Sequence, residues 1–188
     1  MRELAVLEFE SQAAFEHWLD KNPESNGIWI KLAKKNSGET TASYAEAVES
    51  ALCYGWIDSQ VKTFDEKFYI QKFTPRRAKS VWSKINREKA EALIVSGRMK
   101  PAGLLQIEAA KADGRWAAAY EGQSTAEAPA DFLEALSKNK KAAAYYETLS
   151  KSSKYAFTWR LGNVKRPETR AANIEKYVKM LAAGQKLH

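Results

Sequence analysis

The chain has one cysteine and two histidines in 188 residues. Cys53 alone cannot form an internal disulfide, and with His17 and His188 it supplies too few donors for a His- or Cys-built metal site. Prolines number five and glycines nine, and the glycines stand singly at turns and helix ends. That spacing excludes the Gly-rich dinucleotide fingerprint and the P-loop. No histidine lies near the middle of the chain, so His-based triads are unavailable. Cys53 falls near a helix C-terminus, the wrong dipole end for an activated thiol. Asp65-Glu66 reads as a turn and Glu46/Glu49 as a helix surface, so paired catalytic carboxylates are missing too. No cofactor is implied. No apolar run approaches the ~20 residues of a membrane span. The opening Met-Arg-Glu-Leu-Ala-Val-Leu-Glu-Phe-Glu is too acidic for a secretory signal, so a cytoplasmic protein without a membrane span is expected.

What is present is a fold-sized hydrophobic fraction, 45%, and a net charge of +7 that is unevenly spread. Residues 1–58 carry 5 Lys/Arg against 10 Asp/Glu, a net −5, while residues 59–100 carry 11 against 4, a net +7. Residues 150–188 hold 9 basic and 2 acidic residues, again +7. Two basic segments beside an acidic one imply at least one anion-attracting surface.

Local signals predict an α+β fold. Ser11 caps a helix through Asp20, with Phe15, Trp18 and Leu19 on one face. Residues 27–35 read as a strand with Ile28, Ile30 and Leu32 on one side and Trp29 and Lys31 on the other. Ser43-Tyr-Ala-Glu46 is a capping box opening a helix that stops at Gly55. Two β-like runs follow, near 60–63 and 67–74, with Asp65-Glu66 as their turn and Pro75 as a terminator. Beyond Pro75 the pattern is helical: about 84–96, 101–114, 130–138, 140–150, 153–162 and 167–183, the second and last opened by Pro101 and Pro167. The expectation is a small antiparallel sheet of about three strands with helices in a domain over 1–121. A helical C-terminal portion over 122–188 follows, packed on the first, with Gly122–Pro129 as the linker.

Three segments carry candidate chemistry. In Phe73-Thr-Pro-Arg-Arg-Ala-Lys-Ser-Val-Trp-Ser-Lys-Ile-Asn86 a strand ends and a helix begins. Arg76, Arg77 and Lys79, with Ser80, Ser83 and Asn86 at the helix start, supply what a phosphate or carboxylate site needs. Trp82 packs beneath such a site or stacks on a ligand ring. The alternative is a plain helix cap with solvated arginines over a core tryptophan. In Cys53-Tyr-Gly-Trp-Ile-Asp58, Asp58 is the one acid in an apolar neighbourhood, either a structural partner for an arginine or a weak candidate for a general base. Lys165, Arg166 and Arg170, at the start of the last helix, form a secondary basic surface.

Taken in order, these segments resemble the YdeI/OmpD-associated (OmdA) family, the bacteriocin-protection proteins. The resemblance rests on Ala51-Leu-Cys-Tyr-Gly-Trp-Ile-Asp58, Phe73–Arg77, Ser80-Val-Trp-Ser-Lys-Ile-Asn86, Gly97-Arg-Met-Lys-Pro-Ala-Gly103 and Lys165-Arg-Pro-Glu-Thr-Arg170, over about residues 10–184. It implies a stress-resistance role against bacteriocins and cationic antimicrobial peptides and an association with an outer-membrane porin. It carries no established catalytic residue or cofactor. Members have been described as periplasmic, whereas this chain shows no export signal. A +7 protein repels a cationic peptide, so direct sequestration would require the acidic residues 1–58 to form a separate face.

The leading reading is therefore a non-catalytic binding protein with an anion site at a helix N-terminus, its partner an anionic small molecule or an acidic protein surface. The alternatives are an enzyme acting on a phosphorylated or carboxylated small molecule, with Asp58 as base, and a nucleic-acid-binding protein using residues 59–100 and 150–188.

Overall fold

The computed structural model describes residues 3–122 and 125–187. Gln123 and Ser124, inside the expected linker, lie outside the described residues, as do Met1, Arg2 and His188. Among the described residues the sheet has four strands: β1 (Val6–Glu8), β2 (Ile28–Ala33), β3 (Trp56–Thr63) and β4 (Phe68–Pro75), in the order β1-β2-β4-β3. This differs from the expected three antiparallel strands. β1 is an added edge strand, parallel to β2 in the register Val6↔Trp29. Three residues are too few to display a period of two, and Val6 and Glu8 are exposed, so no apolar alternation marks it. Parallel neighbours need a crossover, which α1 (Gln12–Lys21) provides.

β2 pairs antiparallel with β4 from Ile28↔Phe73 to Ala33↔Phe68, and β4 pairs antiparallel with β3. β3 begins at Trp56, earlier than the alternation near Gln60 suggests. A register shift between Asp58 and Val61 interrupts the pleat, so only the later half keeps a readable period.

Helices start where capping chemistry places them. The Ser11 hydroxyl accepts the Ala14 N–H at the start of α1. A reciprocal capping box between Ser43 and Glu46 opens α2 (Tyr44–Cys53). Ser83 caps α3 (Lys84–Val95), and Pro101 opens α4 (Pro101–Ala112). The remaining helices are α5 (Ala130–Ser137), α6 (Lys140–Thr148), α7 (Lys151–Gly162) and α8 (Pro167–Ala182). No helix among the described residues is long and apolar enough to cross a membrane.

The chain divides into two compact units, Met1–Tyr120 and Glu121–His188. In the first, Ile28, Ile30, Leu32 and Phe73 line one sheet face and bury against Phe15 and Leu19 of α1 and Val48 and Leu52 of α2. Leu93 of α3 and Ile107 of α4 extend that core. Packing of α4 against the end of α2 is tight enough to require glycine: a Cβ on Gly103 would sit 2.4 Å from the Cys53 carbonyl oxygen. The second unit has its own core, in which Phe157 stacks on Phe132 with centroids 5.9 Å apart and meets Tyr177 edge-on.

Candidate functional site

Asp58 and the Arg76–Asn86 segment are brought together by the last hydrogen-bonded turn of the sheet. Gly55, at φ 74°, turns the chain out of α2 into β3, a conformation that suits glycine. Its carbonyl then accepts the Arg76 N–H at 2.9 Å, fixing the exit from β4 beside the entry to β3. Asp58 sits opposite Phe73, next to the register shift that interrupts the pairing of β3 with β4. Tyr44, the first residue of α2, donates its hydroxyl to Asp58 Oδ2 at 2.8 Å. Burial first, and then the Asp58 carboxylate, push the Tyr44 phenol far above its ordinary pKa.

The segment after β4 closes on itself. Ser80 Oγ accepts the Arg77 N–H at 3.0 Å, and the Ser80 N–H donates back to the Arg77 carbonyl at 2.9 Å. Arg115 Nη1 donates to the Ser80 carbonyl at 2.8 Å. Tyr120 lies beside the start of α3, taking the Lys84 N–H on its carbonyl and donating its own N–H to the Trp82 carbonyl. The helix start is thus partly occupied by the chain itself, since the Asn86 N–H is also taken by the Ser83 hydroxyl.

These elements enclose a cavity of about 410 Å³ whose walls include Asp58, Ser80, Ser83, Asn86 and Tyr120. Four of the sequence candidates therefore meet. Arg77 and Lys79 are exposed beside the cavity and are not in its wall. Arg76 is only 6% exposed. Its guanidinium lies 3.5 Å over the Trp82 ring, and Nη1 donates to the Val81 carbonyl at 3.2 Å. Nε and Nη2 are buried with no hydrogen-bond partner among the described residues. Burial lowers the Arg76 pKa to about 10, opposed by the nearby Tyr120 and Asp58 charges. Trp82 is core: it supports Arg76 on one side and meets Trp116 edge-on at 4.8 Å.

Tyr44 and Tyr120 escaped the sequence reading. Burial, followed by Asp58, raises the Tyr120 pKa, with Arg76 opposing. Nothing local marks either residue; each is recruited by a contact distant along the chain. Cys53 is buried and its thiol is pushed up to about 11, chiefly by desolvation, as suits an inert position. Among the described residues no group of three or more His, Cys, Asp or Glu is arranged to hold a metal ion.

In the second unit a larger cavity, about 670 Å³, lies between α5 and α8. Its charged groups are already committed to one another: Asp131 with Arg170, Glu134 with Lys138, Glu175 with Lys179. Arg170, expected as part of a basic surface, is a cross-link. It grips both Asp131 oxygens at 2.6 and 2.9 Å and donates Nη1 to the Leu161 carbonyl. Lys165 and Arg166 are exposed. The smaller cavity, whose one carboxylate, Asp58, makes no ion pair among the described residues, is the better site.

Comparison with known proteins divides the chain much as its cores do. Residues 7–106 match the family model of a domain of unknown function, DUF8412. Residues 125–184 match the family described as Bacteriocin-protection, YdeI or OmpD-Associated, OmdA. Of the segments quoted for the resemblance, only Lys165–Arg170 falls in the second match; the others fall in the first. No curated protein and no solved structure matches the chain.

Proposed function

From a chain that belongs to the DUF8412 family and carries an OmdA domain over residues 125–184, we propose a non-catalytic binding protein of bacteriocin-protection type, with its ligand site in the cavity beside Asp58. The observation that carries this reading is the meeting of Asp58 with Ser80, Ser83 and Asn86 in one concavity. Two hydroxyls and an amide offer donors, Asp58 is an acceptor, and exposed Arg77 and Lys79 draw anions towards the mouth. A small polar molecule bearing a phosphate or carboxylate fits that wall. Lys165 and Arg166 would serve as a separate, weaker anionic contact, and the location would be the cytoplasm.

A thermal-shift panel of nucleotides, sugar phosphates, dicarboxylates and polyphosphate tests the site. A ligand at ~100 times its dissociation constant adds about 2.7 kcal/mol of stability. One hit, lost in Ser83→Ala with Asn86→Ala and in Arg77→Ala with Lys79→Ala, is expected. A flat panel overturns the reading.

A second reading, an enzyme on the same class of ligand with Asp58 as general base, is favoured by the placement of Asp58 in the cavity wall with its second oxygen uncommitted to Tyr44. It predicts turnover of the panel hit, reduced on the order of 100-fold or more in Asp58→Asn while the ligand still binds. Binding without turnover leaves the first reading.

A further inference from the structure

The face of the sheet turned away from the helices is built differently from the core face. Trp29 and Phe68 belong to neither hydrophobic core, yet each is only 8% exposed. They are covered by lysines. Lys62 Nζ lies 4.7 Å from the Trp29 ring centroid and Lys72 Nζ 6.0 Å. Lys31 Nζ lies 3.8 Å over Phe68 and 5.4 Å from Phe64. The register orders these groups along the strands. Trp29 is opposite Lys72 in one row, Lys31 and Lys62 flank Ile70 in the next, and Phe68 is opposite Ala33 in the last. The result is an aromatic end, a cationic middle and a second aromatic end, where Phe64 stands half exposed. The two ends are about 13 Å apart at four residues of strand rise.

Charge on this face is one-sided. Glu8 pairs with Lys31 at 2.8 Å, and Lys62 and Lys72 make no ion pair among the described residues. An ammonium held over a ring is only weakly bound at a wet surface. When it moves to a phosphate it uncovers the ring beneath, so one displacement creates a backbone contact and a stacking platform together. A sheet surface with separated rings and intervening lysines suits unstacked bases, which present their faces; it has no projecting helix to enter a duplex groove.

We propose that this face, Trp29, Lys31, Lys62, Phe64, Phe68 and Lys72, binds single-stranded nucleic acid, with the rings stacking bases and the lysines meeting phosphates. The site is independent of the Asp58 cavity. It is tested on the full chain by fluorescence anisotropy of a labelled oligothymidylate, with a duplex of equal length and polyglutamate as comparators. Binding should favour the single strand over both. Its log K should fall with log salt at a slope of about −2, three lysines at about 0.7 each. Lys62→Ala with Lys72→Ala should flatten the slope to about −0.7. Phe64→Ala, at a half-exposed ring whose loss spares the core, should weaken binding about tenfold. Lys140→Ala with Lys141→Ala, exposed on α6 of the other unit, should change neither. The proposal is overturned by no binding at low salt, by equal affinity for duplex or polyglutamate, or by a double-lysine variant with wild-type slope while its circular dichroism remains native.

Discussion

Arg76 is a cation held where burial works against it. A guanidinium buried to 6% exposure with two unpartnered nitrogens is held at a cost, since a donor stripped of water without a partner loses about 1–3 kcal/mol. Stacking on Trp82 and one hydrogen bond to Val81 offset part of it. Arg76→Leu is therefore expected to stay within about 1 kcal/mol of the wild type in denaturant melts. A destabilisation beyond about 3 kcal/mol would assign Arg76 a structural role instead. The sign of its pKa agrees: a cation whose folded pKa is depressed to about 10 opposes folding at neutral pH, and that opposition fades as pH rises above 10. Tyr44 and Tyr54 act in the reverse sense. Their phenols are raised by burial and by Asp58 and Asp20, so their contribution is whole below pH ~10 and is lost as pH climbs through the folded values. An ultraviolet tyrosine titration should show a late-titrating fraction that shrinks in Tyr44→Phe. At this scale the sequence disclosed Asp58, Ser80, Ser83 and Asn86, because turn and cap chemistry is local. It concealed Tyr44 and Tyr120, because their partners lie 14 residues away or, for Tyr120, across a bridge to Ser83.

Elements were legible where a few neighbouring residues decide them. Ser11, Ser43, Ser83, Pro101 and Pro167 each open a helix through a bond or a missing donor that needs only the next turn. β1 and the first half of β3 were not, since a three-residue edge strand and a strand broken by a bulge have no period to read. Two glycines separate the demands of contact from those of helix propensity. Gly103→Ala should cost about 2–3 kcal/mol, because the new methyl meets backbone carbonyls of α2 that cannot retreat. Gly162→Ala, at the end of α7 with open space around it, should be neutral or stabilising by up to about 1 kcal/mol. Thermal midpoints of the two variants should move apart; a common direction would contradict the packing described at α2 and α4. Arg170→Ala removes the link from α8 to Asp131 and to the end of α7, and is expected to cost about 1 kcal/mol after discounting for its partly exposed setting.

For the whole molecule, two cores mean two cooperative units joined by a polar stretch. Limited proteolysis should cut first within residues 121–129, and both fragments should persist under conditions where the unfolded chain is digested. Rapid loss of the C-terminal fragment would mean that its core, built on Phe132, Phe157 and Tyr177, does not stand alone. The packing of the lone thiol bears on the same division. Cys53 ends α2 beneath the α4 contact, is 1% exposed, and has no counterpart in the second unit. A thiol reagent in solution reaches it only when the first unit opens, so its labelling rate is a clock for that unit alone. Run alongside proteolytic loss of the C-terminal fragment, it would time the two halves of one chain separately without any engineered probe.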